Sequence, residues 1–337
     1  MARIYRVAVV GCGHRGREHA AGIQAESRCQ IVALSDVNEQ AAESLNRDLG
    51  LNAKVYRDHH DMLKQEAPDI VVTSLWTPLH LPVFRDSAQA GVKAVISEKP
   101  MAPTWGECLE IANIAQETNC QLTFCHQRRF AKGNQLARKL ISEGVFGEIQ
   151  RMELYSPPNL LDCGTHTIDQ ALSFVDETPV KWVLGAVDAS EPLNWFGVSA
   201  EGMAAGTLVF ENGIRAHIQV GGPDMDIWGG VRVHGSKGFF AVDWDGKCLE
   251  ARVYDDPAWQ LPVLAEGVDN HMVGVVGDAV DALEAGIEPE LSYKKALRAS
   301  EVIFAFYESV RRHARVALPL QGVTDNPFVT MLENHRF

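Results

Sequence analysis

The sequence predicts an α/β protein: an N-terminal doubly wound parallel sheet, then an α+β domain built on a large open, mainly antiparallel sheet. Three observations carry that expectation. Short apolar runs alternate with helix-length segments as far as His126. Beyond it, strand-length segments follow one another, punctuated by turn pairs. The chain has 337 residues, 46% hydrophobic and 22% charged, which is enough for two globular domains.

The first domain is expected over residues 1–126. Its strands are read at Arg3–Val10, Gln30–Asp36, Lys54–Tyr56, Ile70–Leu75, Lys93–Ser97 and Leu122–His126. Between them, Arg15–Glu26, Glu39–Leu49, Asp58–Gln65, Leu79–Ala90 and Trp105–Thr118 carry apolar residues near helical spacing. Strands alternating with helices imply a parallel sheet covered on both faces, with ligands beyond the C-terminal ends of its strands.

The second domain is expected over residues 127–337. It opens with a helix at Gly133–Glu143, a strand at Ile149–Tyr155 and a short helix at Cys163–Val175. Strands follow at Val180–Asp188, Gly206–Phe210, Ile214–Val220, Val231–His234, Phe239–Trp244 and Leu249–Tyr254. Asn212-Gly213 and Asp245-Gly246 read as hairpin turns, since both residues of each pair tolerate positive φ. Asn270–Ala285 and Lys294–Arg312 read as closing helices, and Leu318–Phe337 as a tail that docks on a neighbouring subunit.

The most informative stretch is Val7 to Gly16. An apolar run meets Gly11, Gly13 and Gly16, spaced G-x-G-x-x-G, where strand gives way to helix. Gly11 permits the tight turn, Gly13 lets backbone approach a pyrophosphate, and Gly16 lets the helix pack closely. The helix N-terminus, at His14 and Arg15, offers free N–H groups and a partial positive charge. Asp36 closes the second strand twenty residues on, where a carboxylate binds a ribose 2′-hydroxyl and repels a 2′-phosphate. Val37 and Asn38 add no cation, so NAD is favoured over NADP.

A net charge of −13 argues against nucleic acid and anionic membrane surfaces as partners. The seven cysteines form no C-x-x-C pair and suit a reducing compartment. Val9-Val10-Gly11-Cys12 imitates a lipoprotein cleavage site, but the apolar run before it is too short for a signal segment. With no run of eighteen apolar residues, no membrane helix is expected, and the cytoplasm is the expected compartment.

Two further clusters carry chemistry. Glu98-Lys99-Pro100 lies just past the fifth strand, on the ligand edge. Proline holds Lys99 extended, aiming its ammonium out of the sheet toward a nicotinamide and a substrate hydroxyl. In Asp162-Cys163-Gly164-Thr165-His166-Thr167-Ile168-Asp169, helical geometry stacks Asp162 and His166 one turn apart. Such a pair can grip one hydroxyl-bearing carbon, with the imidazole as base. Asp169 can orient that ring or cap a neighbouring element. No further His or Cys follows at ligand spacing, so no metal is expected. His126, Gln127 and Arg128 end the sixth strand, where His126 and Arg128 are candidate substrate contacts. Trp76 reads as a cofactor flank or core residue, and His59 and His60 as helix-capping or solvated. The Asp224, Asp226 and Trp228 loop is a weaker candidate for sugar contact.

Together the GCGHRG loop, Asp36, Thr77-Pro78…His80, Glu98-Lys99-Pro100 and the Asp162…His166…Asp169 pattern resemble the Gfo/Idh/MocA family of glucose–fructose oxidoreductase and inositol dehydrogenase relatives. Residues 206–213, 231–238 and Tyr307-Glu308-Ser309 resemble its central sheet and last helix. The resemblance implies a Rossmann domain and a substrate cleft between the domains. It also implies that the second sheet mediates assembly, here into a homodimer or homotetramer. Lys99 resembles the family's catalytic lysine, His166 its proton-transferring histidine and Asp162 the acid beside it. Thr77, Pro78, His80, Glu98 and Lys99 are then expected at the cofactor with Gly11, Gly13, His14, Arg15, Gly16 and Asp36. The implied activity is NAD-dependent oxidation of a secondary hydroxyl on a sugar, glycoside or cyclitol. Two alternatives share the scaffold: an NAD-retaining enzyme that cleaves or epimerises through transient oxidation, and a non-catalytic sugar or NAD sensor. The sequence departs from the family at residues 156–161, a short, two-proline link before Asp162. It suggests an open cleft for a bulkier substrate, or one completed by a neighbouring subunit.

Overall fold

The computed structural model describes residues 3–222, 229–263 and 271–336. In chain order the first part runs β1 (Tyr5–Val10), α1 (His14–Ala25), β2 (Cys29–Ser35), α2 (Glu39–Asp48), β3 (Lys54–Tyr56), α3 (His59–Glu66), β4 (Ile70–Thr73), α4 (His80–Gln89), β5 (Ala94–Ser97), α5 (Trp105–Thr118) and β6 (Gln121–Phe124). The chain continues through α6 (Lys132–Ser142), β7 (Ile149–Ser156), α7 (Thr165–Phe174), β8 (Val180–Asp188), β9 (Leu193–Trp195), β10 (Val198–Ala200), β11 (Met203–Phe210), β12 (Arg215–Gly221), β13 (Gly230–Gly235), β14 (Gly238–Asp243) and β15 (Cys248–Val253). It ends with α8 (His271–Ala285), α9 (Tyr293–Arg312), β16 (Val316–Ala317) and α10 (Pro327–Glu333). Asp224, Asp226 and Trp228 lie outside the described residues.

Two compact units divide the chain. The first comprises Met1–Pro103, Glu107–Gln127 and Asn270–Ala296; the second comprises Thr104–Gly106, Arg128–Asp269 and Leu297–Phe337. The division is thus not a single cut after residue 126. Helix α8 returns to the first unit, where Gly22 of α1 leaves just enough room for Met272. Arg28 there donates to Asp281 at 2.6 Å and Glu284 at 3.0 Å.

In the first unit six strands pair in the order β3-β2-β1-β4-β5-β6, all parallel. Val9, Leu34, Val71, Val72 and Val95 are fully buried, as a sheet covered on both faces requires. The order reverses between β1 and β4, so the crevice beyond their C-terminal ends is the place for a ligand.

In the second unit eight strands pair in the order β15-β14-β13-β7-β12-β11-β8-β16. Every pairing is antiparallel except β7 with β12. Along β12, exposed Arg215, His217 and Gln219 alternate with buried Ala216, Ile218 and Val220, so one face packs and the other does not. Gly206 faces Gly185 across β11 and β8, and the Phe306 ring of α9 fills the notch they leave.

The hairpins refine the turn reading. Gly213 and Gly246 take positive φ, whereas Asn212 and Asp245 do not. The Phe210 amide pairs with the Ile214 carbonyl, and Gly213 N–H returns to Phe210 O at 3.0 Å. That is a three-residue loop with glycine in the left-handed position. The C-terminal tail is also reassigned: Leu320, Val323, Phe328 and Met331 are buried in the chain's own second unit. Asn326 caps α10, and Arg311 donates to Asp325 at 2.6 Å.

Candidate active site

In the first unit the glycine loop behaves as its spacing demands. Gly11 has φ +90°, and a Cβ there collides with the Ser74 carbonyl. A Cβ on Gly16 collides with Gly11 O, so this residue sets how closely α1 starts against β1. Gly13 differs from both: a Cβ on it meets no protein atom within 4 Å. The space its missing side chain leaves is open for a ligand. Gly13 is also the N-cap of α1, no side chain caps it, and the first turn holds no acid. Those are the conditions for a diphosphate at a helix N-terminus. His14 is exposed in that first turn, 3.8 Å from Glu18.

Asp36 follows β2 and binds the same loop. One carboxylate oxygen accepts Cys12 N–H at 2.7 Å and the other accepts Asn38 N–H at 2.9 Å. Each oxygen keeps a lone pair for a ribose hydroxyl. Burial and the nearby Asp36 charge push the Cys12 thiol up to about 12, so it stays protonated.

Glu98 links this helix to the strand end bearing Lys99. Arg15 donates to Glu98 Oε1 through Nε at 3.1 Å and Nη2 at 2.8 Å, and His19 Nε2 lies 2.7 Å from the same oxygen. Burial favours the neutral acid, but the hydrogen bond from His19 and the cations Arg15 and Lys99 outweigh it and hold Glu98 well below the carboxylate range. Lys99 itself is half-buried, and the Lys99–Pro100 peptide is cis. His19 was absent from the sequence reading; its i+4 spacing from Arg15 on one face of α1 was the available signal.

His80 is placed differently from expectation. It is 2% exposed, with Nδ1 2.9 Å from Pro100 O and Nε2 3.1 Å from Leu75 O. Burial pushes its pKa down, against the carbonyl contacts. Both ring nitrogens thus face backbone carbonyls of the ligand-edge turns, and the neutral ring donates to one of them. Thr77 is buried beside it, while Pro78 and Trp76 are exposed on the rim. His126 is buried just after β6. His59 and His60 sit apart from these turns: Asp58 caps α3 by accepting His60 N–H at 2.8 Å, and His59 Nε2 lies 2.9 Å from Asp86.

In the second unit Asp162 and His166 do not share an α-helix. Leu160–Gly164 forms a π turn that runs without a break into α7. Such turns recur at functional sites because they re-aim one or two side chains. Asn159 opens the turn by accepting Asp162 N–H at 2.8 Å. Cys163 Sγ points at Asp162 Oδ2 from 3.5 Å. His166 is buried and meets the Trp244 ring edge-on, centroids 5.9 Å apart. Arg128 stacks over the same ring and donates Nη1 to Trp244 O. Burial pulls Arg128 down to about 9, against the pull of Cys163, Asp245 and Asp162, so it remains a cation at neutral pH. Trp244 thus joins Arg128 and His166 in one patch.

Asp169 is the partner of Arg129, which donates Nε at 2.8 Å and Nη2 at 2.7 Å to its two oxygens and Nη1 to Glu177. This buried bidentate pair anchors α7 one turn after His166. Arg129, Trp244 and Asn159 escaped the sequence reading. Of the three, only the doubled arginine after β6 was a local signal.

All seven cysteines are unbridged. Among the described residues no helix is long and apolar enough to cross a membrane.

Residues 5–126 match the model of the GFO_IDH_MocA oxidoreductase family, described by its NAD-binding Rossmann fold. Among curated proteins the chain is 28% identical over 192 residues to an inositol 2-dehydrogenase/D-chiro-inositol 3-dehydrogenase of Halalkalibacterium halodurans, covering 56% of this chain and 52% of that one. It is 31% identical over 150 residues to an inositol 2-dehydrogenase of Serratia proteamaculans, covering 42% of each. The chain spans about half the length of the curated relatives it matches. Among solved structures, the WlbA dehydrogenase of Bordetella pertussis, bound to NADH and UDP-GlcNAcA, superposes with a TM-score of 0.80 at 23% identity, over 95% of this chain and 99% of that one. At that identity the likeness speaks for the fold.

Proposed function

We propose that this chain, which belongs to the Gfo/Idh/MocA oxidoreductase family, is an NAD-dependent dehydrogenase acting on a secondary hydroxyl of a sugar, glycoside or cyclitol. One observation carries the reading: α1, whose N-terminus suits the diphosphate, is tied through Arg15 and His19 to Glu98, the neighbour of Lys99. Cofactor helix and candidate catalytic lysine are thereby held in one rigid piece. When bound, the dinucleotide supplies a nicotinamide that accepts hydride from the carbon being oxidised.

The chain's own residues do the rest. Gly13 and the start of α1 hold the diphosphate, and Asp36 holds the ribose hydroxyls. Lys99 donates to the substrate oxygen and stabilises the negative charge that grows on it. His166 takes the hydroxyl proton, with Asp162 orienting substrate or ring. Arg128 and His126 contact the remaining hydroxyls. The curated relatives' names, inositol dehydrogenases, support the polyol class.

A panel of polyols, aldoses and glycosides incubated with NAD⁺ tests this reading. Net NADH formation on at least one member is the expected result. Product without net NADH would point to the redox-neutral reading, and NADH binding without turnover on any member would overturn enzymatic function.

A further inference from the structure

Glu201 belongs to none of the motifs that the proposed reaction uses. It follows β10, is fully buried, and carries two hydrogen bonds to distant parts of the second unit. Leu160 N–H donates to Oε1 at 2.7 Å, and the Tyr307 hydroxyl of α9 donates to Oε2 at 2.6 Å. Leu160 opens the π turn whose third residue is Asp162. The first N–H groups of any helical turn lack intrahelical partners and need outside acceptors. Here Asn159 serves the amide of Asp162, and Glu201, forty-one residues away in sequence, serves that of Leu160.

A carboxyl in this position is costly to bury, and an apolar residue would leave Leu160 N–H without an acceptor. Burial pushes Glu201 up to about 7, with the Tyr307 and Leu160 hydrogen bonds acting against it. With no exposed surface Glu201 touches no ligand, so any effect on chemistry passes through the turn it holds.

We propose that Glu201, held by Tyr307, is a positioning residue that sets the π turn carrying Asp162 and leading into His166. The proposal rests on the dehydrogenase reading for its kinetic consequence, but not for its structural one.

The test uses full-length Glu201→Ala, Glu201→Gln and Tyr307→Phe, read by amide hydrogen exchange, NADH binding and kcat. In Glu201→Ala, exchange over residues 159–166 should rise roughly tenfold and kcat should fall on the order of ten- to a hundredfold. NADH affinity should stay unchanged. Glu201→Gln keeps an acceptor for Leu160 and should restore both readouts to within about threefold. Should the alanine variant fold poorly, Tyr307→Phe, which loses one bond, gives an intermediate effect confined to the same segment. Wild-type kcat in Glu201→Ala would overturn the proposal, as would exchange rising uniformly across the second unit with no rescue by glutamine. If wild-type protein turns over no member of the polyol, aldose and glycoside panel yet exchange rises only at residues 159–166, the positioning role stands and the dehydrogenase reading falls.

Discussion

Gly11 and Gly13 sit two residues apart and do different work. Gly11 has no space for a Cβ and a positive φ, so Gly11→Ala should cost stability, on the order of 1–3 kcal/mol. Gly13 faces open space at negative φ, so Gly13→Val should melt near wild type yet lose NADH affinity by tenfold or more. Thermal melts and NADH fluorescence titrations of the two variants check this contrast; equal melting losses would place Gly13 in the fold alone. Asp36→Ala should lower NAD affinity and narrow the preference over NADP, measured by titration with both cofactors. These residues were legible because the fingerprint is local: each glycine's job is set by its neighbours in sequence. His19, Trp244 and Glu201 were not, because their partners lie 79, 78 and 106 residues away, respectively Glu98, His166 and Tyr307. His80 is a motif residue whose ring nitrogens face backbone carbonyls, an orientation that its place in the motif did not show.

At the scale of elements, strands and helices of the first unit were readable to within a residue or two, since apolar runs and amphipathic stretches declare them. Helix α5 and strand β8 fall on the expected bounds. The π turn was not readable: periodicity near Asp162 fits one extended helix, and one acceptor for its first amides, Glu201, lies forty-one residues away in sequence. Strands β9, β10 and β16 are two or three residues long, too short to show alternation. Helix α10 was hidden in a stretch read as a tail, although Asn326-Pro327 is a cap followed by a first-turn proline.

Glu201 also gives this scale a pH signature. Its folded pKa is raised above the unfolded value, so its contribution to stability is fully present below about pH 4.5 and is lost as pH rises through about 7. Wild-type melting temperature should therefore decline over that window relative to Glu201→Gln, by up to about 3 kcal/mol of stability. Parallel melting curves across pH for the two proteins would show that Glu201 does not titrate there.

Across the whole molecule, the two-part composition was visible in the sequence, but the return of α8 to the first unit was not. That return depends on Met272 meeting Gly22 and on Arg28 meeting Asp281, contacts between residues some 250 positions apart. The residues proposed to hold the cofactor all fall within the first unit. Saturating NADH should thus stabilise the protein by mass action, about 2.7 kcal/mol at a hundredfold excess over Kd, and Gly13→Val should abolish the thermal shift. The net charge of −13 bears on the molecule as a whole, and it weighs against nucleic acid and anionic membrane surfaces as partners.

The most direct test is a steady-state comparison of wild type, Lys99→Ala and His166→Ala on the best substrate from the polyol panel, with NADH affinity measured alongside. Loss of the lysine or the histidine should each lower kcat on the order of a hundredfold or more while leaving NADH affinity within about twofold. Wild-type turnover in either variant would remove that residue from the chemistry, and wild-type turnover in both would refute the dehydrogenase site described above.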